Sequence, residues 1–105
     1  MCGRYTLYSS GETIASAFGL SLVPNPVPRY NIAPSQPVSA ITSAKSGEYE
    51  YRIFQWGLIP VWAKDPTIGN RMINARAETA AEKPSFRTAF KRRRCLVIAD
   101  GFYEW

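Results

Sequence analysis

In Met1-Cys2-Gly3-Arg4-Tyr5, the cysteine at position 2 is the residue with the most chemistry to offer. Removal of the initiator Met leaves it carrying both an α-amine and a thiol. Such a 1,2-aminothiol condenses with an aldehyde through its amine, giving an imine. The thiol then closes on the imine carbon to form a five-membered thiazolidine, a step in which proximity replaces a bimolecular encounter. An ordinary α-amine titrates near ~7.7–8.0 and an ordinary thiol near ~8.5, so a small shift makes either a nucleophile at neutral pH. A second reading stays open at this point, in which Cys2 is a small apolar residue that starts a strand.

The rest of the chain limits what can surround that group. Its 105 residues make one domain at most. Hydrophobic residues at 46% and aromatics at 13%, with Trp56, Trp62 and Trp105 among them, argue for a packed body rather than disorder. No apolar run approaches the roughly 18 residues of a membrane span, and Arg4, Glu12 and several serines interrupt the first 20 residues where a signal peptide would be apolar. A cytoplasmic protein with no membrane contact is expected, its two cysteines reduced, with Cys95 an inert residue of a buried strand. With His absent and two Cys, zinc lacks ligands, and neither a metal nor a cofactor is expected.

Net charge is +5, and it is uneven: Lys83, Arg87, Lys91, Arg92, Arg93 and Arg94 fall in one stretch with no acid among them. Such a block is either a solvated face or the footprint of an anionic partner. Nucleic acid is the favoured partner because arginines dominate and aromatics accompany them. Single strands suit the surface best, since bases can stack on aromatic or guanidinium planes while other cations meet the phosphates.

Strands and loops with little helix should position these groups. Residues 3–8 read as a strand. Ser9 with Glu12 has capping-box spacing for a short helix ending near Gly19, and Pro24, Pro26 and Pro28 then exclude regular structure. Residues 38–42 and 48–59 form a hairpin about Ser46-Gly47. Residues 60–69 are a loop carrying Trp62, 72–76 a short strand, 79–90 a broken helix, and 95–100 a buried strand before Gly101.

The segments Met1-Cys2-Gly3-Arg4-Tyr5, Tyr30-Asn31-Ile32-Ala33-Pro34, Trp56-Gly57-Leu58-Ile59-Pro60-Val61-Trp62-Ala63, Ile73-Asn74-Ala75-Arg76-Ala77-Glu78-Thr79 and Ala99-Asp100-Gly101-Phe102-Tyr103-Glu104-Trp105 together resemble the SOS response-associated peptidase (SRAP) family. The resemblance runs from the first residue to the last. It implies an α+β fold, mostly antiparallel and barrel-like with short helices, of which residues 1–105 look like the N-terminal portion. It also implies processing of abasic sites in single-stranded DNA during the DNA damage response, and possible autocatalytic removal of Met1. A ring-opened abasic sugar is an aldehyde, and by position Cys2 is the nucleophile that crosslinks to it as a thiazolidine and protects the lesion.

In that resemblance Asn74 hydrogen-bonds the opened sugar and Glu104 handles protons. Arg4 and Arg76 hold flanking phosphates, and Pro34 and Trp62 form an apolar wedge for neighbouring bases. Asn31 and Lys83 complete the DNA-binding set. The family's catalytic His and its Arg-rich segment are absent from this sequence, so a lyase or peptidase activity of family type is expected only if the domain is completed, for instance by a second chain. A nucleoid-associated place in the cytoplasm follows from the same resemblance. Two rivals stand beside it: a non-catalytic single-stranded DNA-binding module, and an N-terminal-nucleophile glutamine amidotransferase, whose downstream glutamine-binding motifs are not found.

Overall fold

The computed structural model describes residues 3–21 and 23–104. Among the described residues nine short elements follow one another: β1 (Tyr5–Leu7), α1 (Gly11–Phe18), β2 (Arg29–Ile32), β3 (Pro37–Ser43), β4 (Tyr49–Gln55), a 3-10 helix (Pro66–Arg71), α2 (Arg87–Arg92), β5 (Leu96–Val97) and β6 (Gly101–Phe102). The strands form two antiparallel sheets, one ordered β2-β1-β6 and the other β4-β3-β5. This is the expected α+β class with short helices. Among the described residues the two sheets stay separate and do not close into a barrel.

The core explains the order of the elements. All three residues of β1, Tyr5, Thr6 and Leu7, are buried, because β1 is the central strand of its sheet. Tyr5 and Leu7 share a cluster with Ile14 of α1, Ile32 of β2, Val38 and Ile41 of β3, and Ile98. Ile32 is 1% exposed, and full burial of a side chain this size is worth about 1.5–3 kcal/mol. Phe18, Leu20, Val23, Tyr51 and Trp56 pack around the cluster.

Local signals account for most boundaries and for the departures from expectation. Helix α1 starts one residue later than its capping-box spacing suggests. Ser10, not Ser9, is the N-cap and accepts from Thr13 N at 3.2 Å, because Ser9 is engaged by Asp100. Gly19 ends the helix at φ 66, the left-handed cap for which glycine is suited. The β3–β4 hairpin turns at Ser46-Gly47 as expected, with Gly47 at φ 88. Strand β4 stops at Gln55 rather than running to Ile59, since Gly57 reverses the chain at φ 142.

Residues 72–76 form no strand. Their carbonyl groups serve loop contacts instead, Met72 O accepting from Leu58 N at 2.9 Å and Ile73 O from the Trp56 indole N–H at 3.3 Å. The 79–90 helix is reduced to turns and α2. The loop expected over residues 60–69 contains a 3-10 turn, N-capped by Asp65 through Thr67 N at 3.0 Å. The buried 95–100 strand is also corrected. Only Leu96 and Val97 pair, opposite Ile41 and Ala40, and they are 60% and 54% exposed, while Ile98 alone turns into the core. Cys95 is exposed rather than buried.

Candidate functional site

Pairing of β1 with β6 sets the site, because it joins the two ends of the sequence. Tyr5 lies opposite Phe102 and Thr6 opposite Gly101, and Tyr103 N donates to Arg4 O at 3.0 Å. That bond joins the segments just outside the paired residues, so Gly3 and Glu104, the next residues outward on each, lie at this end of the sheet. Tyr5 also pairs with Ile32, so the chain leaves β2 toward Ala33-Pro34 at this same end of the sheet. Tyr103 spans the end by donating its hydroxyl to Tyr30 O at 2.9 Å.

Asp100 fixes the opposite end. One carboxylate oxygen accepts from Tyr8 N at 2.6 Å and Ser9 N at 2.9 Å, and the other from the Ser9 hydroxyl at 2.5 Å. Its own N–H donates to Thr6 O at 2.8 Å. The Ser9 hydroxyl is the main reason that the carboxyl titrates below its ordinary range; desolvation opposes it, and the backbone N–H groups of Tyr8 and Ser9 act in the same direction as the hydroxyl. The registry of β1 against β6 is therefore locked by a charge-assisted clamp.

Pro34 sits in a tight turn built for it. Gln36 N donates to Ala33 O at 3.2 Å, and Ser35 takes φ 72, so Pro34 and Ser35 occupy the central positions of a type II-like turn. The Gln36 side chain holds this turn from within, its Oε1 accepting from Ala33 N at 3.0 Å and from Arg29 at 2.8 Å. Ser35 N then donates to Trp56 O at 2.9 Å, and Trp56 N to Gln36 O at 3.0 Å.

Trp56 links this turn to the segment that bears the candidate amide and arginine. Its ring lies 5.7 Å from that of Tyr5, tilted by 51°, and its indole donates to Ile73 O. Asn74 and Arg76 follow directly, both exposed. The close approach of Gly57 to Gly69 holds the same loop: a Cβ on Gly57 would stand 2.3 Å from Gly69 O. Trp62 forms a separate corner, half exposed, where its indole donates to Pro84 O at 3.4 Å beside Lys83.

The sequence-selected residues thus fall into three groups. Arg4, Pro34 and Glu104 share one end of the β2-β1-β6 sheet, and Arg4 and Glu104 are exposed. Asn74 and Arg76 are tied to that sheet through Trp56 and Tyr5, whereas Trp62 and Lys83 lie at their own corner. Asn31 is an exposed residue of β2. Cys2 lies outside the described residues.

The positioning residues Asp100, Tyr103, Gln36 and Trp56 were not singled out from the sequence. Asp100, Tyr103 and Trp56 lie in segments that carry the family resemblance, and Gln36 alone lies outside them all. Along the basic stretch, Lys91 and Arg92 end α2, and the Arg94 guanidinium lies 5.0 Å from the Phe90 ring centre. Desolvation pushes the Cys95 thiol up, which lowers its thiolate fraction at neutral pH. No cluster of three His, Cys, Asp or Glu residues able to hold a metal occurs among the described residues, and none of the described helices is long and apolar enough to cross a membrane.

Fold and site together define a small α+β protein of two antiparallel sheets, with a charged end where its N-terminal strand meets its last. The chain belongs to the SOS response associated peptidase (SRAP) family, whose description matches residues 1–105. It is 49% identical over 108 aligned residues to the abasic site processing protein YoaM of Bacillus subtilis, covering 100% of this chain and 47% of that protein. Against the abasic site processing protein YedK of Escherichia coli it is 31% identical, with 100% and 48% covered. Against the abasic site processing protein HMCES of Mus musculus it is 43% identical, with 74% and 25% covered. A crystal structure of a protein from Bordetella bronchiseptica superposes with a TM-score of 0.78 at 25% identity, over 98% of this chain and 50% of that one. The chain spans about half the length of the bacterial relatives it matches.

Proposed function

We propose that this protein captures abasic sites in single-stranded DNA through Cys2. The α-amine adds to the sugar aldehyde and water leaves, giving an imine. The thiol sulfur then bonds to the imine carbon while its proton passes to the nitrogen, so the product is a thiazolidine with no other co-reactant. The lesion is thereby held and protected from strand cleavage. Its family membership and the printed names of its relatives support the substrate.

The observation that supports the assignment on this chain is the β1–β6 register together with the Tyr103 N–Arg4 O bond, which brings the segment that bears Glu104 alongside the one that follows Cys2 in sequence. A carboxylate in that place can take the ammonium proton of the N-terminus and return one to the sugar oxygen. Glu104 is exposed, so DNA or a covering polypeptide supplies any shielding it has during reaction. Asn74 contributes an amide that bonds the opened sugar without gaining or losing a proton. Arg4 and Arg76 hold the flanking phosphates, and Pro34 and Trp62 offer surfaces against which bases stack.

A denaturing gel of the protein with single-stranded DNA carrying one abasic site tests the reading. A shifted band that survives denaturation supports covalent capture. Binding in a native gel without such a band supports the second reading, a non-covalent single-strand binder, which the exposed basic run from Lys91 to Arg94 favours.

A further inference from the structure

Strand β2 is bulged against β1. Tyr5 pairs with Ile32 and Leu7 with Arg29, so Tyr30 and Asn31 together face Thr6 alone. A bulge re-aims side chains, and here both residues of the bulge are exposed, Tyr30 at 60%. The Tyr30 ring stacks on that of Tyr8, with 5.7 Å between centres and 15° between planes. Tyr8 is 52% exposed. Both rings are held from the backbone: the Tyr103 hydroxyl donates to Tyr30 O at 2.9 Å, and Tyr8 N donates to the Asp100 carboxylate at 2.6 Å.

This ring pair does no packing for the fold, since neither ring belongs to the core cluster. The charge around it favours an anionic ligand. Arg29, next to Tyr30, gives its guanidinium hydrogen bonds to neutral acceptors, Pro37 O and the Gln36 side-chain oxygen, so its positive charge stays uncompensated by them. Arg4 is exposed on the segment that leads into β1. The carboxylate of Asp100 is already engaged by Tyr8 N, Ser9 N and the Ser9 hydroxyl. Flat aromatic faces among cations suit an unpaired base on a phosphate backbone, and every base has a face to stack.

We infer that the Tyr8–Tyr30 stack is a nucleobase subsite, which holds one unpaired base of the DNA strand near the lesion. The inference rests on the proposed function only in taking single-stranded DNA as the partner. Tyr30 lies four residues before Pro34 on the same run of chain, so a strand that leaves the Pro34 turn along β2 meets the ring pair next. The Asn31 amide, turned outward by the same bulge, can bond the edge of the base held there. Stacking without a fixed edge pattern accepts all four bases.

The probe is a thymine strand bearing tetrahydrofuran, an abasic analogue without an aldehyde, with 2-aminopurine placed in turn at each neighbouring position. Stacking on a tyrosine quenches that base, so one position should lose fluorescence several-fold when the protein binds. Tyr8→Ala and Tyr30→Ala should each abolish the quenching and weaken binding roughly 5- to 10-fold, with an unchanged salt slope because no phosphate contact is lost. Tyr8→Phe and Tyr30→Phe should keep the quenching, and Tyr49→Ala, at an exposed tyrosine of β4 in the other sheet, should alter nothing. Should Tyr30→Ala disturb the bulge, Tyr8→Ala serves alone, because Tyr8 lies past the end of β1. Binding with no quenched position, quenching that survives both alanine variants, or a salt slope that falls with them would overturn the inference. The analogue cannot be captured, so a failed capture reaction leaves this readout intact, whereas capture without a quenched position would sink the subsite alone. A wild-type chain that does not bind the strand would overturn both readings.

Discussion

Gly57→Ala should be the most damaging single-methyl change in the chain. Two costs add at this residue. Its φ of 142 is a region that L side chains rarely adopt, which costs of order 1–3 kcal/mol. The added Cβ would also stand 2.3 Å from Gly69 O and 2.9 Å from Gly69 C. Both are backbone atoms, which cannot swing aside as a side-chain tip can, and overpacking of this kind costs about 1–3 kcal/mol. The expected loss is therefore about 2–6 kcal/mol, a large share of the ~5–15 kcal/mol that stabilises a domain.

Gly19→Ala is the matched control, because Gly19 has φ 66 but nothing within 4 Å of its would-be Cβ. That change should cost only the left-handed conformation, about 1–2 kcal/mol. Urea denaturation followed by tryptophan fluorescence measures both, since Trp56 adjoins the affected loop. The Gly57 variant should also capture abasic DNA more slowly at saturating DNA, because the Leu58–Met72 bond and the Trp56–Ile73 bond that anchor Asn74 depend on that loop. Equal losses from Gly57→Ala and Gly19→Ala would refute the close-approach argument.

Asp100→Asn should destabilise the fold by about 1–2 kcal/mol through loss of a charge-assisted clamp at an exposed position. Because the folded carboxyl titrates below its ordinary range, its contribution is full above the ordinary carboxylate pKa and is lost as pH falls through the folded one. The variant should accordingly flatten the acid limb of a stability–pH curve, and an unchanged limb would remove the clamp from the account. Arg4→Ala and Arg76→Ala should each weaken single-strand binding and reduce the salt slope by up to ~0.7, with fluorescence anisotropy across a salt series as the assay. Identical slopes in wild type and both variants would move the phosphate contacts elsewhere, first to Lys91 through Arg94. Glu104→Gln should slow adduct formation roughly 10²-fold at saturating DNA and flatten its dependence on pH where the α-amine loses its proton. Indifference to this change would leave Glu104 outside the chemistry.

Local rules read from the sequence placed the elements whose signals are self-contained. Gly19 ended α1, Ser46-Gly47 turned the hairpin, and the apolar run of 38–42 made the buried strand β3. What the sequence hid depended on partners far along the chain. Ser9 and Ser10 are equal as caps until Asp100, 91 residues away, takes Ser9. Residues 72–76 have strand-like composition, yet an indole and a loop N–H claim their carbonyls. The apolar run 95–98 suggested burial, but with β5 at a sheet edge only Ile98 finds cover among the described residues. The candidate site was legible as a set of residue types in family order. Its geometry was not, because the register that pairs Tyr5 with Phe102 joins the two ends of the sequence.

Mass spectrometry of the peptide that remains on DNA after proteolysis of the adduct tests the central claim most directly. The account predicts an N-terminal peptide beginning at Cys2, joined to the sugar with loss of one water, absent in Cys2→Ala and unaffected by Cys95→Ala. A crosslink carried by the Cys95 peptide, or one that persists in Cys2→Ala, would contradict it.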